Sequence, residues 1–209
     1  MQALNHLQDR LDQDAIGGVA GLAAIVIAFL AISSSTFLSK TFHWSGSALS
    51  DLGAPWSSVS LIFNTGMILA GLSGLVFGIY LIRNAETRLE WIGAGLFNIS
   101  MFGLGMVGVF PIGTPWHREA SILFFTAFTY AFLVWGTATI QEGFIYTGLA
   151  STWLGLLHAT VWGIWLASLR PWLGIAVPEL AGSLLLALWT TGQCLILLDR
   201  KDYLPLPDQ

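Results

Sequence analysis

Six long stretches without a single Asp, Glu, Lys or Arg constrain the fold of this chain more than any other feature. They are 25, 31, 27, 22, 27 and 19 residues long and cover residues 15–39, 52–82, 91–117, 120–141, 143–169 and 180–198. A helix needs about 20 mostly apolar residues to cross the hydrocarbon core of a bilayer. The sequence therefore predicts an all-α integral membrane protein, a bundle of six transmembrane helices.

The ends of these stretches predict the helix boundaries. The six helices are expected at about 15–38, 57–82, 91–110, 115–140, 144–168 and 178–198. Ser57 or Ser58 is predicted to cap the second helix and Thr114 the fourth, because hydroxyls accept the first free amides of a helix. The first loop mixes apolar and polar residues and exceeds the usual 2–8 residues, which predicts a short interfacial helix within it. The remainder is too short for a soluble domain, so residues 1–209 are predicted to form a single membrane domain.

Composition excludes several classes of protein. Charged residues make up 10% of the chain and hydrophobic residues 55%, whereas soluble domains carry roughly 25% charge. This excludes a water-soluble enzyme and a disordered chain. The net charge is −4, so the chain lacks the excess of basic residues that is typical of nucleic-acid-binding proteins. Cys194 is the only cysteine, so a disulfide within the chain is impossible.

The distribution of basic residues predicts the orientation in the cell membrane. One side of the bundle holds Arg10, Arg83, Arg88, Arg200 and Lys201, and the other holds Lys40, Arg118 and Arg170. Because Lys and Arg mark the cytoplasmic side, both termini are predicted to be cytoplasmic. The opposite side is termed the outer end. Six tryptophans predict an aromatic belt there or, in part, the mouth of a pocket: Trp44, Trp56, Trp116, Trp162, Trp165 and Trp172.

The deep polar residues are all neutral, which argues against a proton pump or an ion channel, since these usually need buried charges. They are Asn64, Asn98, Tyr130, His158 and Gln193. Two interpretations of His158 stay open. It is either a neutral histidine bonded across helices to a hydroxyl or amide, or a ligand for a metal, cofactor or substrate. Trp162 lies at i+4 on the same helix face and is expected to pack over its ring.

A second polar group lies at the outer rim: His43, Asp51, His117, Arg118, Glu119, Arg170 and Glu179. In the structural interpretation, Asp51 caps the loop helix and His117 satisfies a loop carbonyl. Arg118–Glu179 or Arg170–Glu119 then form surface ion pairs.

In the functional interpretation, these side chains and those beneath them form a pocket near the outer leaflet. The predicted pocket residues are Asp51, Asn64, His117, Glu119, His158 and Trp162. Within that set, Asp51, His117 and His158 are the candidate metal ligands, because carboxylate and imidazole groups suit zinc. The characteristic H-E-x-x-H spacing of zinc hydrolases does not occur.

Small residues recur every four positions on two helices. The second helix carries Gly66, Ala70, Gly74 and Gly78, and the fifth carries Thr147, Ser151, Gly155, Ala159 and Gly163. Small residues let helix backbones approach closely in lipid. Both faces are therefore predicted to be buried helix contacts.

Two motifs carry a resemblance to a known family. The first is Ser50-Asp51-Leu52-Gly53 followed by Phe63-Asn64 and Gly66, and the second runs from Gly105 to Pro111 and is followed by His117 and Ala120. Together they resemble the multi-pass prokaryotic membrane proteins of domain-of-unknown-function family 998. The resemblance implies a compact bundle of about six helices with a polar cluster on one face. It also implies five characteristic positions, Ser50, Asp51, Asn64, Pro111 and His117, but no reaction.

Three functions are compatible with this sequence. The first is a non-catalytic membrane protein that binds a lipid or small amphiphile in the outer pocket, or that serves as an accessory subunit. Its expected partners are membrane lipids, with a second copy of the chain or another membrane protein as further possibilities. The second is an intramembrane metal-dependent lipid hydrolase in which zinc activates a water. The third is a small-solute transporter. The sequence alone leaves open whether the protein is an enzyme.

Overall fold

The computed structural model describes the backbone of residues 2–170 and 173–199 and the side chains of residues 14–170 and 173–198. The helices are α1 (Gln2–Leu38), α2 (Ser60–Asn84), α3 (Arg88–Val109), α4 (His117–Gln141), α5 (Ile145–Leu166) and α6 (Ala176–Asp199). A short 3₁₀ helix, Leu49–Gly53, lies in the first loop and is termed the loop helix. All six long helices are long and apolar enough to cross a membrane, which confirms the predicted all-helical architecture.

The first helix begins earlier than predicted. It starts at Gln2 rather than near residue 15, and the part able to span a membrane is Asp14–Leu38. Charges in residues 9–14 end the apolar stretch, but residues 2–14 contain no Gly or Pro to break the helix. The length of the apolar stretch therefore predicted the part of α1 that can span a membrane, but it did not predict where the helix begins.

The start of α4 also differs from the prediction. The helix begins at His117, and Trp116 before it has a left-handed backbone with φ of 73°. The Thr114 hydroxyl donates to the carbonyl of Pro111 at 2.7 Å. The predicted Thr114 cap is therefore wrong, because this hydroxyl stabilises the preceding turn instead of a helix amide.

The start of α2 shows the same kind of shift. The helix begins at Ser60 with Val59 at its N-cap, which makes no side-chain cap bond. The Ser57 hydroxyl accepts a long bond from the Val59 amide at 3.4 Å. Ser57 and Ser58 thus lie in the turn before the helix, and the predicted serine cap is wrong.

Small residues set the close approach of α2 to its neighbours. All four stripe residues of α2 are buried, as predicted. A Cβ added to Gly71, on the same helix, would lie 2.6 Å from the backbone nitrogen of Gly105 in α3. The absence of a side chain at Gly71 therefore permits this crossing.

The predicted stripe on α5 is only partly correct. Ser151 and Gly155 are buried, but Thr147, Ala159 and Gly163 are exposed. The buried residues of α5 are Gly148, Ser151, Gly155 and His158. A mixed spacing of three and four residues keeps a straight helix face aligned, whereas a strict spacing of four drifts around the helix.

Helix α6 closes the bundle by returning to α1 and α5. Its Trp189 is buried among aromatic rings of α3 and α4 and donates to the Ser151 hydroxyl of α5 at 2.8 Å. At the outer end, the amide of Ala176 donates to the Ser47 carbonyl at 2.9 Å. These bonds place the first turn of α6 directly against the first loop.

Candidate functional site

The loop helix is fixed to the bundle through both of its ends. At its start, Asp51 Oδ2 accepts from the Ala48 amide at 2.7 Å, which confirms the predicted Asp51 cap. At its end, Asn64 of α2 donates from Nδ2 to the Gly53 carbonyl at 2.9 Å. A Cβ on Gly53 would lie 2.9 Å from the Phe63 ring, so this contact requires glycine.

A second carboxylate reaches the loop helix from the far end of the chain. Glu179, in the first turn of α6, is 6% exposed, and its Oε2 accepts from the Leu49 amide at 2.5 Å. The Ser50 amide and the Asp51 carboxylate also face it. Glu179 is therefore a buried acceptor for the loop helix rather than the partner of Arg118 in a surface ion pair.

A small cavity lies beside this carboxylate, between the loop helix, α4 and α6. Its volume is about 40 Å³, and eight of its twelve lining residues are apolar. Its polar wall consists of Ser50, Ser121, Glu179 and Ser183. This space is termed the polar cavity. A buried water needs roughly 10–15 Å³ of such volume, so the cavity accommodates a group the size of two or three waters.

A second space, the apolar groove, adjoins the polar cavity. It has a volume of about 50 Å³ and runs between residues 24–32 of α1 and residues 183–190 of α6. Its lining is apolar or glycine except for Ser183 and Thr190. Both spaces are lined by Ile32, Met67, Leu104, Phe124 and Ser183. At 1.5 Å per residue the groove follows α1 for about 12 Å, and it shares part of its lining with the cavity that contains the buried carboxylate.

His117 lies at the start of α4, next to the polar cavity. Its Nδ1 is 2.7 Å from the Phe110 carbonyl oxygen, which can only accept, so Nδ1 carries a proton. This bond confirms that His117 satisfies a loop carbonyl. Its Nε2 lies 3.4 Å from the Ser121 hydroxyl, but that hydroxyl also donates to the His117 carbonyl at 2.9 Å.

His158 is 1% exposed, and both of its ring nitrogens have partners. Trp162 donates from Nε1 to Nε2 at 2.9 Å, so Nε2 is unprotonated in this bond. Nδ1 is 2.6 Å from the Thr129 hydroxyl, which itself donates to the Phe125 carbonyl at 2.7 Å. Nδ1 therefore donates to Thr129, and the ring is a neutral link between α4 and α5. This bonding agrees with the first of the two interpretations of His158.

The structure does not bring the three candidate metal ligands together. Among the described side chains, those of residues 14–170 and 173–198, no group of three His, Cys, Asp or Glu residues is placed to hold a metal ion. Asp51 binds the Ala48 amide, and His117 binds the Phe110 carbonyl. His158 is enclosed by α4 and α5. Zinc therefore remains a prediction from residue types, without a converging ligand set to support it.

The remaining predicted pocket residues lie around the polar cavity rather than on its wall. Glu119 is exposed on α4, and Asn64 holds the loop helix from behind. Trp162 is half-buried against His158. Asp51 faces Glu179 without lining the cavity.

The sequence reasoning placed Glu179 at the rim but not in the pocket, and it did not include Ser183. An acidic residue in the first turn of a helix usually complements the helix dipole at the surface, so nothing local distinguished Glu179. The one available signal was its position directly after Pro178, at the edge of a charge-free stretch.

The chain belongs to the family described as protein of unknown function (DUF998). The match covers residues 22–196, which include the loop helix, the polar cavity and the apolar groove. The suspected resemblance is thereby confirmed. No curated protein and no solved structure matches this chain significantly. Family membership supports the architecture and assigns no reaction.

Proposed function

We propose that this protein is a non-catalytic membrane protein that binds a small amphiphile. The tail of the amphiphile lies in the apolar groove, and its headgroup lies in the polar cavity. The observation that carries the proposal is that the two spaces are neighbours, because five residues line both of them. An apolar path that ends at a few polar groups suits a molecule with one apolar and one polar end.

The packing of α6 supports entry of a chain. The groove lies between α6 and α1, and residues of α2, α3 and α4 complete its lining. Two methionines, Met67 and Met101, line this region. At about 50 Å³ the groove admits only a few water-sized groups, so it must widen before a dodecyl chain can enter. Methionine has three rotatable bonds and adapts to irregular gaps, so rotation of these two side chains contributes to that widening.

The geometry of Ser121 favours binding over nucleophilic catalysis. A serine nucleophile needs its hydroxyl proton directed to a base. The Ser121 hydroxyl donates to the main-chain carbonyl of His117 at 2.9 Å, whereas the His117 Nε2 is 3.4 Å away. This pair is therefore arranged as a helix-start contact. The hydrolase and transporter hypotheses stay as predictions from the sequence.

We further infer the placement of the chain in the cell membrane. The excess of basic residues on the side of the termini supports a cytoplasmic location for both ends. Trp44, Trp56 and Trp116 are exposed at the outer end, which supports an interfacial position for the loop helix there. Membrane lipids are then the immediate partners, and a second copy or an accessory role stays a prediction.

A blocked groove tests the proposal. Ala28 lines the groove, and Val26, two residues earlier on α1, is 55% exposed. We expect Ala28→Phe to lower the affinity for a dodecyl-chain amphiphile by about tenfold or more, because the new ring occupies the tail site. Val26→Phe adds a ring on the outer face and should leave the affinity unchanged. Native mass spectrometry of the full chain, released from a polyoxyethylene detergent, measures the bound fraction.

Two results would contradict the proposal. One is the absence of any bound dodecyl amphiphile in the wild-type chain across the titrated range. The other is equal binding by Ala28→Phe and Val26→Phe in variants that melt at the wild-type temperature. If Ala28→Phe fails to fold, Ala187→Leu fills the same groove from α6 and takes its place.

A further inference from the structure

The polar cavity presents hydrogen-bond acceptors on most of its polar wall. The Ser121 hydroxyl gives its proton to the His117 carbonyl at 2.9 Å, and the Ser183 hydroxyl gives its proton to the Glu179 carbonyl at 2.8 Å. Each serine therefore offers only oxygen lone pairs to the space beside it. A headgroup that enters must supply N–H or O–H donors.

Glu179 adds further acceptor capacity. A carboxylate has about four lone-pair positions, and the Leu49 and Ser50 amides occupy part of this capacity. Ser50 is 6% exposed and lines the cavity, and its hydroxyl has no partner within the described part of the chain. A polar atom that lacks a partner on a buried side chain is available to hydrogen-bond a polar ligand in the adjoining space.

The electrostatics of the polar cavity favour a cation. Among the described residues, the charged side chain that acts on Glu179 is Asp51, which is also acidic. Asp51 is itself held by the Ala48 amide at 2.7 Å. A buried carboxylate must gain a proton or a cation to be stable, and the cavity offers room for the cation directly beside it.

The size of the cavity selects a compact cation. About 40 Å³ admits a group the size of two or three waters. A primary ammonium is close to water in size and carries three N–H donors. A trimethylammonium group has no donor and adds three methyl groups. The adjoining apolar groove then distinguishes a free cation from one that is attached to a chain.

We propose that the polar cavity binds the primary ammonium headgroup of a single-chain amphiphile. This inference rests on the proposed function and specifies its ligand class. The ammonium donates to Glu179 and to the lone pairs of Ser121 and Ser183, while the chain occupies the apolar groove. An anionic headgroup is disfavoured because it would face Glu179 and Asp51.

A comparison of dodecyl probes on the wild-type chain tests the headgroup. We expect dodecylamine to bind about tenfold or more tightly than dodecyltrimethylammonium, because charge-assisted hydrogen bonds are lost in the latter. Dodecanoate should bind more weakly still. The bound fraction is read by native mass spectrometry of the full chain. Equal binding of all three probes would overturn the headgroup assignment and leave the proposed function intact, whereas no binding of any probe would contradict both.

Matched acid variants test the residue. Glu179→Gln keeps an acceptor for the Leu49 amide and removes the charge, so we expect about tenfold or more loss of dodecylamine affinity. Glu119→Gln removes one exposed carboxylate from the same end and should change the affinity by less than about twofold. Equal effects of the two variants would overturn the role of Glu179. If Glu179→Gln does not fold, Ser50→Ala and the headgroup series on the wild-type chain carry the test.

Free cations provide the last arm. Methylammonium chloride and sodium chloride carry a compact cation without a tail, and choline chloride controls for ionic strength. We expect neither methylammonium chloride nor sodium chloride to raise the melting temperature of the protein as far as dodecylamine does. If sodium chloride stabilises the wild-type chain as strongly as dodecylamine but leaves Glu179→Gln unchanged, the cavity is an inorganic cation site and the amphiphile assignment is wrong.

Discussion

Phe125 is a neighbour of two buried polar side chains, His158 and Glu179, whose hydrogen bonding differs. Its ring stacks against His158 with centroids 5.8 Å apart. Phe125 also lines the polar cavity together with Glu179. His158 has both ring nitrogens occupied by Trp162 and Thr129. Glu179 has two backbone amides, an acidic neighbour and an adjoining space.

This difference shows how a structural polar residue is distinguished from a candidate site. Burial alone does not separate the two, since His158 is 1% exposed and Glu179 is 6% exposed. The distinguishing property is unused hydrogen-bonding capacity next to a cavity. A closed network stabilises the fold, whereas an open one can accept a ligand.

Removal of the closed network should have the largest effect on stability. His158→Ala leaves a cavity and removes the acceptor of the Trp162 indole N–H, while the Thr129 hydroxyl keeps its bond to the Phe125 carbonyl. We therefore expect a loss of about 2–4 kcal/mol. Thermal unfolding in detergent measures it. His43→Ala removes an exposed histidine and should change stability by less than about 0.5 kcal/mol.

The same His158 variant can break the comparison. Dodecylamine affinity should stay within about twofold of wild type at a temperature where His158→Ala is folded, because the ring lies outside the polar cavity. A loss of affinity as large as that of Glu179→Gln would show that His158 belongs to the ligand site.

A smaller effect is expected at Gly182, where α6 packs on the histidine. A Cβ there would lie 2.7 Å from His158 Nε2 and 3.2 Å from the Phe125 ring. Gly182→Ala should therefore cost about 1–3 kcal/mol through displacement of a packed ring. Gly192, on the same helix, has open space around it, and Gly192→Ala should be neutral or stabilise by up to about 1 kcal/mol. Equal melting temperatures of Gly182→Ala and Gly192→Ala would show that the packed rings around His158 can be displaced at little cost in stability.

The smallest effect on stability is expected at the end of the bundle opposite the loop helix, where the carboxylates of Glu142 and Glu90 lie near each other. Partial desolvation and the nearby carboxylate of Glu90 raise the pKa of Glu142 above its ordinary value of 4.5. A raised pKa means that the charged form destabilises the folded state above pH 4.5. Glu142→Gln should therefore stabilise the protein at pH 7 by at most about 0.5 kcal/mol, because Glu142 is exposed and screened. The gain should vanish at pH 4, and a loss of stability at pH 7 would contradict this account.

Much of the fold could be predicted from the sequence because hydrocarbon imposes a simple rule of length and polarity. The charge-free stretches located all six long helices, and the Asp51 cap followed from local chemistry. The start of α4 could not be predicted, because a threonine hydroxyl can either accept from a helix amide or donate to a nearby carbonyl, as Thr114 does to Pro111. The left-handed backbone of Trp116 also leaves no sequence signal.

The candidate site was less accessible to sequence reasoning. The roles of Asp51 as a cap and of His117 as a donor to a loop carbonyl were predicted, and the neutral cross-helix role of His158 was one of two interpretations. Glu179 was missed because its partner, the Leu49 amide, lies 130 positions away. A contact of this kind depends on how α6 returns to the first loop, and no local pattern encodes it.

That long-range bond also affects the order in which the protein can be assembled during synthesis. When the ribosome has made only α1 to α5, the Leu49 amide has no acceptor, and the carbonyls of Ser45 and Ser47 lack the donors that the connector and α6 later supply. The first loop can therefore reach its final shape only after the last helix emerges. A translation product that stops before α6 would lack the residues of α6 that line the polar cavity and the apolar groove.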